Sequence, residues 1–153
     1  MERVAPEVIA TLNTLLETCR DGQRGYETAS SEARDPELRA LFHGFSERRA
    51  RLATELARTV RGLGGDPERA GSLAGTVHRG WMNLKAAATR HEDGSIVAEC
   101  ERGEDVALKN FREALREPLP TDLQSLVERQ YREIKEAHDR MRALEVARGD
   151  RKD

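Results

Sequence analysis

Gly62-Leu63-Gly64-Gly65-Asp66-Pro67-Glu68 is the stretch that divides the chain. Three glycines in four residues end a helix, because glycine reaches the left-handed conformation that a helix C-cap favours. Asp66-Pro67-Glu68 then turns the chain. Upstream, a helical period runs from Pro6 to Ala33, stops at Asp35-Pro36-Glu37 and resumes from Pro36 to about Arg61. Asp35 is placed to cap the second helix, and Pro36 suits its first turn. Downstream, Ser72 opens a third segment to about Arg90, closed by His91-Glu92-Asp93-Gly94. A fourth segment starts at the cap Ser95 and runs to about Glu117, where Pro118-Leu119-Pro120 breaks it. Thr121 caps a fifth, with Gln124 completing a capping box. The fifth reaches about Ala147, and residues 148–153 form a polar tail.

Stepping about 100° per residue places one apolar stripe on each segment. The first carries Val8, Leu12, Leu15, Cys19, Tyr26 and Ala33, and the second Leu38, Leu41, Phe45, Leu52 and Leu56. The third carries Leu73, Val77, Trp81, Leu84 and Ala88. The fourth shows Ile96, Cys100, Ala107, Phe111 and Ala114, and the fifth Leu123, Leu126, Ile134, Met141 and Leu144. Short links join the first segment to the second and the fourth to the fifth, so each pair makes an antiparallel hairpin. A long crossover containing the shorter third helix joins the hairpins. The expected fold is therefore all-α, an up-down-down-up four-helix bundle of the ferritin-like kind with an additional crossover helix. Residues 1–153 read as a single domain with a core from about 6 to 147.

Composition narrows the function classes. Roughly half of the 153 residues are Ala, Glu, Lys, Leu or Arg, the composition of long helices. Charged side chains nearly cancel to a net −2, so no basic field draws nucleic acid or an anionic membrane. No apolar run approaches the ~18–20 residues of a membrane span. Met1-Glu2-Arg3 leads into no leader-like apolar core, and two cysteines make no disulfide framework. The expected location is the cytoplasm.

Several segments also carry a resemblance. Leu16-Glu17-Thr18-Cys19-Arg20-Asp21-Gly22, Leu63-Gly64-Gly65-Asp66-Pro67, His78-Arg79-Gly80-Trp81-Met82, Glu99-Cys100-Glu101-Arg102-Gly103-Glu104-Asp105 and Ala137-His138-Asp139-Arg140 stand out. Together they resemble a bacterial family of four-helix-bundle proteins of unknown function in the ferritin-like superfamily. The resemblance spans about Val8 to Leu144. It implies a fold and a superfamily, not an activity.

A di-iron carboxylate centre takes a Glu from each of two helices and Glu-x-x-His from each of two others. Glu-x-x-His is missing: Glu47 is followed three residues later by Ala50, Glu101 by Glu104 and Glu133 by Glu136. Glu17 and Glu47 project from the outer faces of their helices. The inward stripes instead carry Gln23, Arg49, Glu104 and Gln130, one from each long helix and all near mid-bundle. An isolated charge is costly in a core, so Arg49 and Glu104 are read as partners, with the glutamines satisfying leftover groups. Arg49 could instead extend its stem to solvent and leave Glu104 at a wet edge.

Cys19 and Cys100 read as small core residues, Tyr26 as a core tyrosine and Trp81 as the anchor of the crossover helix. His43 and His91 lie in no metal-ligand spacing, His78 lies off the apolar stripe and His138 on the flank of the fifth helix. The densely acidic run Glu99 to Asp105 could hold a cation on the surface, although a solvated helix face is the commoner outcome for such a run. Gly22, Gly25, Gly80 and Gly103 fall inside helices, where close approach would explain them. No nucleophile–base constellation appears. The expected protein is thus a non-enzymatic bundle with an interaction, assembly or stress-related role, its partner another protein or itself, and no cofactor. The competing expectation is a metal-binding or oxygen-handling protein. Its atypical site for iron or another divalent metal would draw on Glu27, Glu101, Glu104, Glu133 or His138.

Overall fold

A computed structural model describes residues 4–69, 81, 84 and 92–149. Four long helices make up most of them: α1 (Pro6–Glu32), α2 (Pro36–Gly62), α3 (Asp93–Leu115) and α4 (Thr121–Gly149). No strand occurs among the described residues, and none of their helices is long and apolar enough to cross a membrane. The crossover helix expected over 72–90 lies outside the described residues apart from Trp81, half-buried, and Leu84, buried. Leu73, Val77, His78, Gly80, Ala88 and His91 lie outside them as well.

The breaks have local causes. The Asp35 carboxylate accepts from the Glu37 N–H at 2.9 Å, and Pro36 opens α2. At the other end of α2, Gly64 takes φ +86°, and the N–H groups of Leu63, Gly64 and Gly65 fold back onto Thr59, Arg61 and Val60 carbonyls. Two expected caps are displaced. Helix α3 begins at Asp93, so Ser95 sits in its first turn and its hydroxyl donates to Glu92. The Asp93 carboxylate accepts from the N–H groups of Arg34 and Asp35, both at 2.9 Å, and ties the start of α3 to the α1–α2 turn. Thr121 is the first residue of α4 rather than its cap, and the Gln124 amide donates to Glu128 instead of closing a capping box.

Directions follow from paired contacts. Arg34 meets Asp93, Tyr26 meets Glu104 and Thr18 meets Asn110, so α1 and α3 are antiparallel. Along the other side Arg48 pairs with Glu136 and Glu55 with Arg129, so α2 and α4 are antiparallel too. The short turn at residues 33–35 makes α1 and α2 antiparallel, which leaves α2 and α3 pointing the same way. The result is a four-helix bundle.

The predicted stripes on α1 and α3 are buried, as are Leu38, Phe45, Leu52, Leu56, Leu123, Ile134 and Met141. Leu41, Leu126 and Leu144 are only partly buried, and Phe42, beside Leu41, is fully covered. Burying each Leu, Ile or Phe stabilises by about 1.5–3 kcal/mol. The core falls into two clusters. Leu12, Leu15, Leu16, Leu56, Phe111 and Val127 anchor one; Tyr26, Phe42, Ile96, Cys100 and Met141 anchor the other.

Candidate functional site

Charged side chains lie between those clusters. Arg49 of α2 donates to one oxygen of Glu104 of α3, and the Tyr26 hydroxyl of α1 donates to the other at 2.6 Å. Arg49 is 2% exposed, and Tyr26 and Glu104 are 0% exposed, so solvent screens none of the three. The guanidinium also lies 5.9 Å from the centre of the Tyr26 ring. Its second terminal nitrogen, Nη1, has no acceptor among the described residues.

Missing Cβ atoms make this arrangement possible. A Cβ on Gly22 would land on the Arg49 guanidinium. A Cβ on Gly25 of α1 or on Gly103 of α3 would land in the Trp81 ring. The indole therefore sits between two helices at their glycines, edge-on to Tyr26 at 5.1 Å and 67°. Phe45 at 5.4 Å and Phe42 at 6.1 Å complete the aromatic surround of Tyr26.

The four residues expected in one polar layer separate. Arg49 and Glu104 meet. Gln23 does not join them: its amide donates to Glu27 at 3.2 Å on an exposed face, while its backbone carbonyl accepts from Ser46. Tyr26, three residues on, reaches Glu104 instead. Gln130 is fully buried but turns to the Leu52 carbonyl at 3.3 Å and to Glu55 at 2.9 Å. Glu55 itself bonds Arg129, which together with Gln130 holds its carboxyl below the usual range.

Glu17 corrects the expectation of an outward residue. It is 4% exposed, and Arg24 bonds it at 3.3 Å and Asp21 at 2.8 Å. The side of α1 facing away from the bundle axis is covered too. Asn13 donates to the Asp66 carbonyl and Arg20 to the Pro67 carbonyl, both at the start of the crossover. Glu47 is exposed and pairs with His43 at 3.3 Å.

The candidate metal ligands also scatter. Glu27 binds Gln23, Glu133 pairs with Arg129 at 3.5 Å, and Glu104 is committed to Arg49 and Tyr26. Glu101 and His138 do converge, together with Asp105. The sequence offers the Glu99–Asp105 run as a possible surface cation holder, and the arrival of α4 across α3 adds His138 to two of its carboxylates.

Burial dominates the chemistry of the interior. It pushes the Cys19 thiol up to about 12 and holds Cys100 and Tyr26 well above their ordinary values, with Glu104 reinforcing the last two. Burial opposes the Arg49 charge, but Glu104 leads the interactions that outweigh it, and the guanidinium stays protonated. These thiols are not nucleophiles at neutral pH. Because the folded state holds these three protons more tightly than the unfolded chain, their stabilisation is complete below the unfolded values and fades at higher pH. The urea midpoint should therefore decline above about pH 8.5, where unfolded thiols ionise. A thiol reagent should label neither cysteine at neutral pH until the chain unfolds. Rapid labelling of the native protein would contradict this.

No curated protein matches the sequence. A family model does, over residues 7–117, which take in α1, α2, the crossover and α3. With most of its length covered by that match, the chain belongs to the family described as Domain of unknown function (DUF2383).

Proposed function

We propose that this protein is a single-domain, cytoplasmic, ferritin-like bundle that acts by interaction or assembly rather than by catalysis. In this reading the Arg49–Glu104–Tyr26 cluster stands where a dinuclear centre would hold its metals. The supporting observation is the buried Arg49 guanidinium bonded to Glu104. A dinuclear centre gathers four carboxylates and two histidines around two dications. Here a guanidinium occupies one carboxylate oxygen and a phenol the other, and a dication beside them would meet a fixed positive charge at low dielectric. The raised Cys19 and Cys100 thiols are poor nucleophiles at neutral pH, which supports a non-catalytic reading of the interior they occupy.

The test is anaerobic loading with ferrous iron, followed by admission of oxygen. The expected result is no dinuclear iron and no oxygen uptake above buffer. Two irons per chain with oxygen turnover, both lost in Glu104→Gln, would overturn the reading.

A further inference from the structure

Away from the core cluster, α3 and α4 bring three metal-capable side chains together. Glu101 and Asp105 lie one turn apart on the same face of α3. His138 reaches them from α4, and one ligand atom from each falls within 4.8 Å of the others. Glu101 is buried, His138 half-buried and Asp105 exposed, so the group opens to water on one side.

The imidazole supplies an independent observation. Its Nδ1 lies 3.1 Å from an oxygen of Asp139, whose other oxygen is held by Lys135 at 2.8 Å. Its Nε2 lies 2.8 Å from an oxygen of Asp105. A neutral imidazole carries one N–H. With Nδ1–H donating to Asp139, the Nε2 lone pair is aimed at the Asp105 carboxylate, and the gap between them is one that a proton fills in the metal-free protein and a metal cation can take over. Anchoring Nδ1 on a carboxylate is also how a ligating histidine is held in the tautomer that frees Nε2.

We propose that Glu101, Asp105 and His138 bind one divalent cation of the zinc class on the α3–α4 surface, with water completing its coordination. Oxygen and imidazole ligands at about 2.0–2.2 Å from zinc suit this donor set. Two carboxylates balance the dication. Arg142, which lies 3.4 Å from Glu101, has a side chain 68% exposed and is free to swing into solvent. Glu104, on the same helix, is not part of the site, because Arg49 and Tyr26 saturate it. The proposal is thus independent of the core reading, and different residues report each.

Zinc chloride titrated into the full chain at neutral pH, followed by calorimetry, tests it. One zinc should bind per chain. At a hundredfold excess over Kd, the thermal midpoint should rise by roughly 5–10 °C. His138→Gln and Asp105→Asn should each weaken binding at least tenfold. Asp139→Asn should weaken it about 10–100-fold through the histidine's orientation. Glu133→Gln and Glu27→Gln should leave it unchanged. On binding, the His138 Nε2 resonance should move in a nitrogen-15 spectrum while Nδ1 keeps its proton. These positions lie at or near the surface, and unchanged helical circular dichroism will verify each variant. No saturation by about 1 mM zinc, undiminished binding in His138→Gln, or a proton on both ring nitrogens in the zinc-loaded protein would each overturn the proposal.

Discussion

Arg49→Met should cost about 3–5 kcal/mol of stability, and Glu104→Leu a similar amount, because each strands the other's charge in the core. Arg49→Met leaves the Glu104 carboxylate with the Tyr26 hydroxyl alone. Glu104→Leu leaves a guanidinium whose Nη1 already has no acceptor among the described residues. The double substitution removes both charges and should cost much less than the sum, or even stabilise. Tyr26→Phe is a milder probe that deletes one charge-assisted hydrogen bond, for about 1.5–3 kcal/mol. Urea unfolding of these proteins measures the coupling. Additive losses below about 1 kcal/mol each would mean that water reaches Arg49, and the buried-pair account would fail.

Trp81→Ala should cost about 3 kcal/mol, the low end for a large aromatic, because the ring is only partly buried. Its glycine seats make a sharper test. Gly103→Ala places a methyl group in the indole ring and should destabilise by about 1–3 kcal/mol. In a Trp81→Ala background the clash is gone, and the same substitution should stabilise by up to about 1 kcal/mol, since alanine favours helix over glycine. The sign should reverse. Trp81 is the only tryptophan, so its emission should also shift to the red in Gly103→Ala as the ring moves toward water. A destabilisation by Gly103→Ala that persists without the indole would show that the glycine serves something other than Trp81.

Helix limits and most of the core were legible because they rest on local chemistry. Asp35 with Pro36 marks a helix start, and the inward residues of α1 and α3 repeat at helical spacing. Ser95 misled by three residues and Thr121 by one, because the backbone entered the helix before the residue with the right side chain. Glu17 misled for a deeper reason. A helical wheel assumes one buried face, whereas α1 is covered by the bundle on one side and by the start of the crossover on another. At the core site, charge economy paired Arg49 with Glu104, but side-chain reach decided that Tyr26, not Gln23, completes the cluster. Glu101 and His138 were visible as types; their meeting with Asp105 belongs to tertiary packing. Four glycines stand out in the sequence as anomalies within helical periodicity, and the three among the described residues, Gly22, Gly25 and Gly103, acquire a reason once the side chains they admit are in place.

The Arg49–Glu104 pair also constrains how such a chain can change. A wholly apolar centre would fold as well or better, yet every single step toward it passes through a protein with one orphaned charge. Domains live within about 5–15 kcal/mol of unfolding, so that intermediate sits near the edge of viability. The two positions can be exchanged together but not in turn. The pair therefore acts as a ratchet on the lineage, and its persistence would need no present use to explain it.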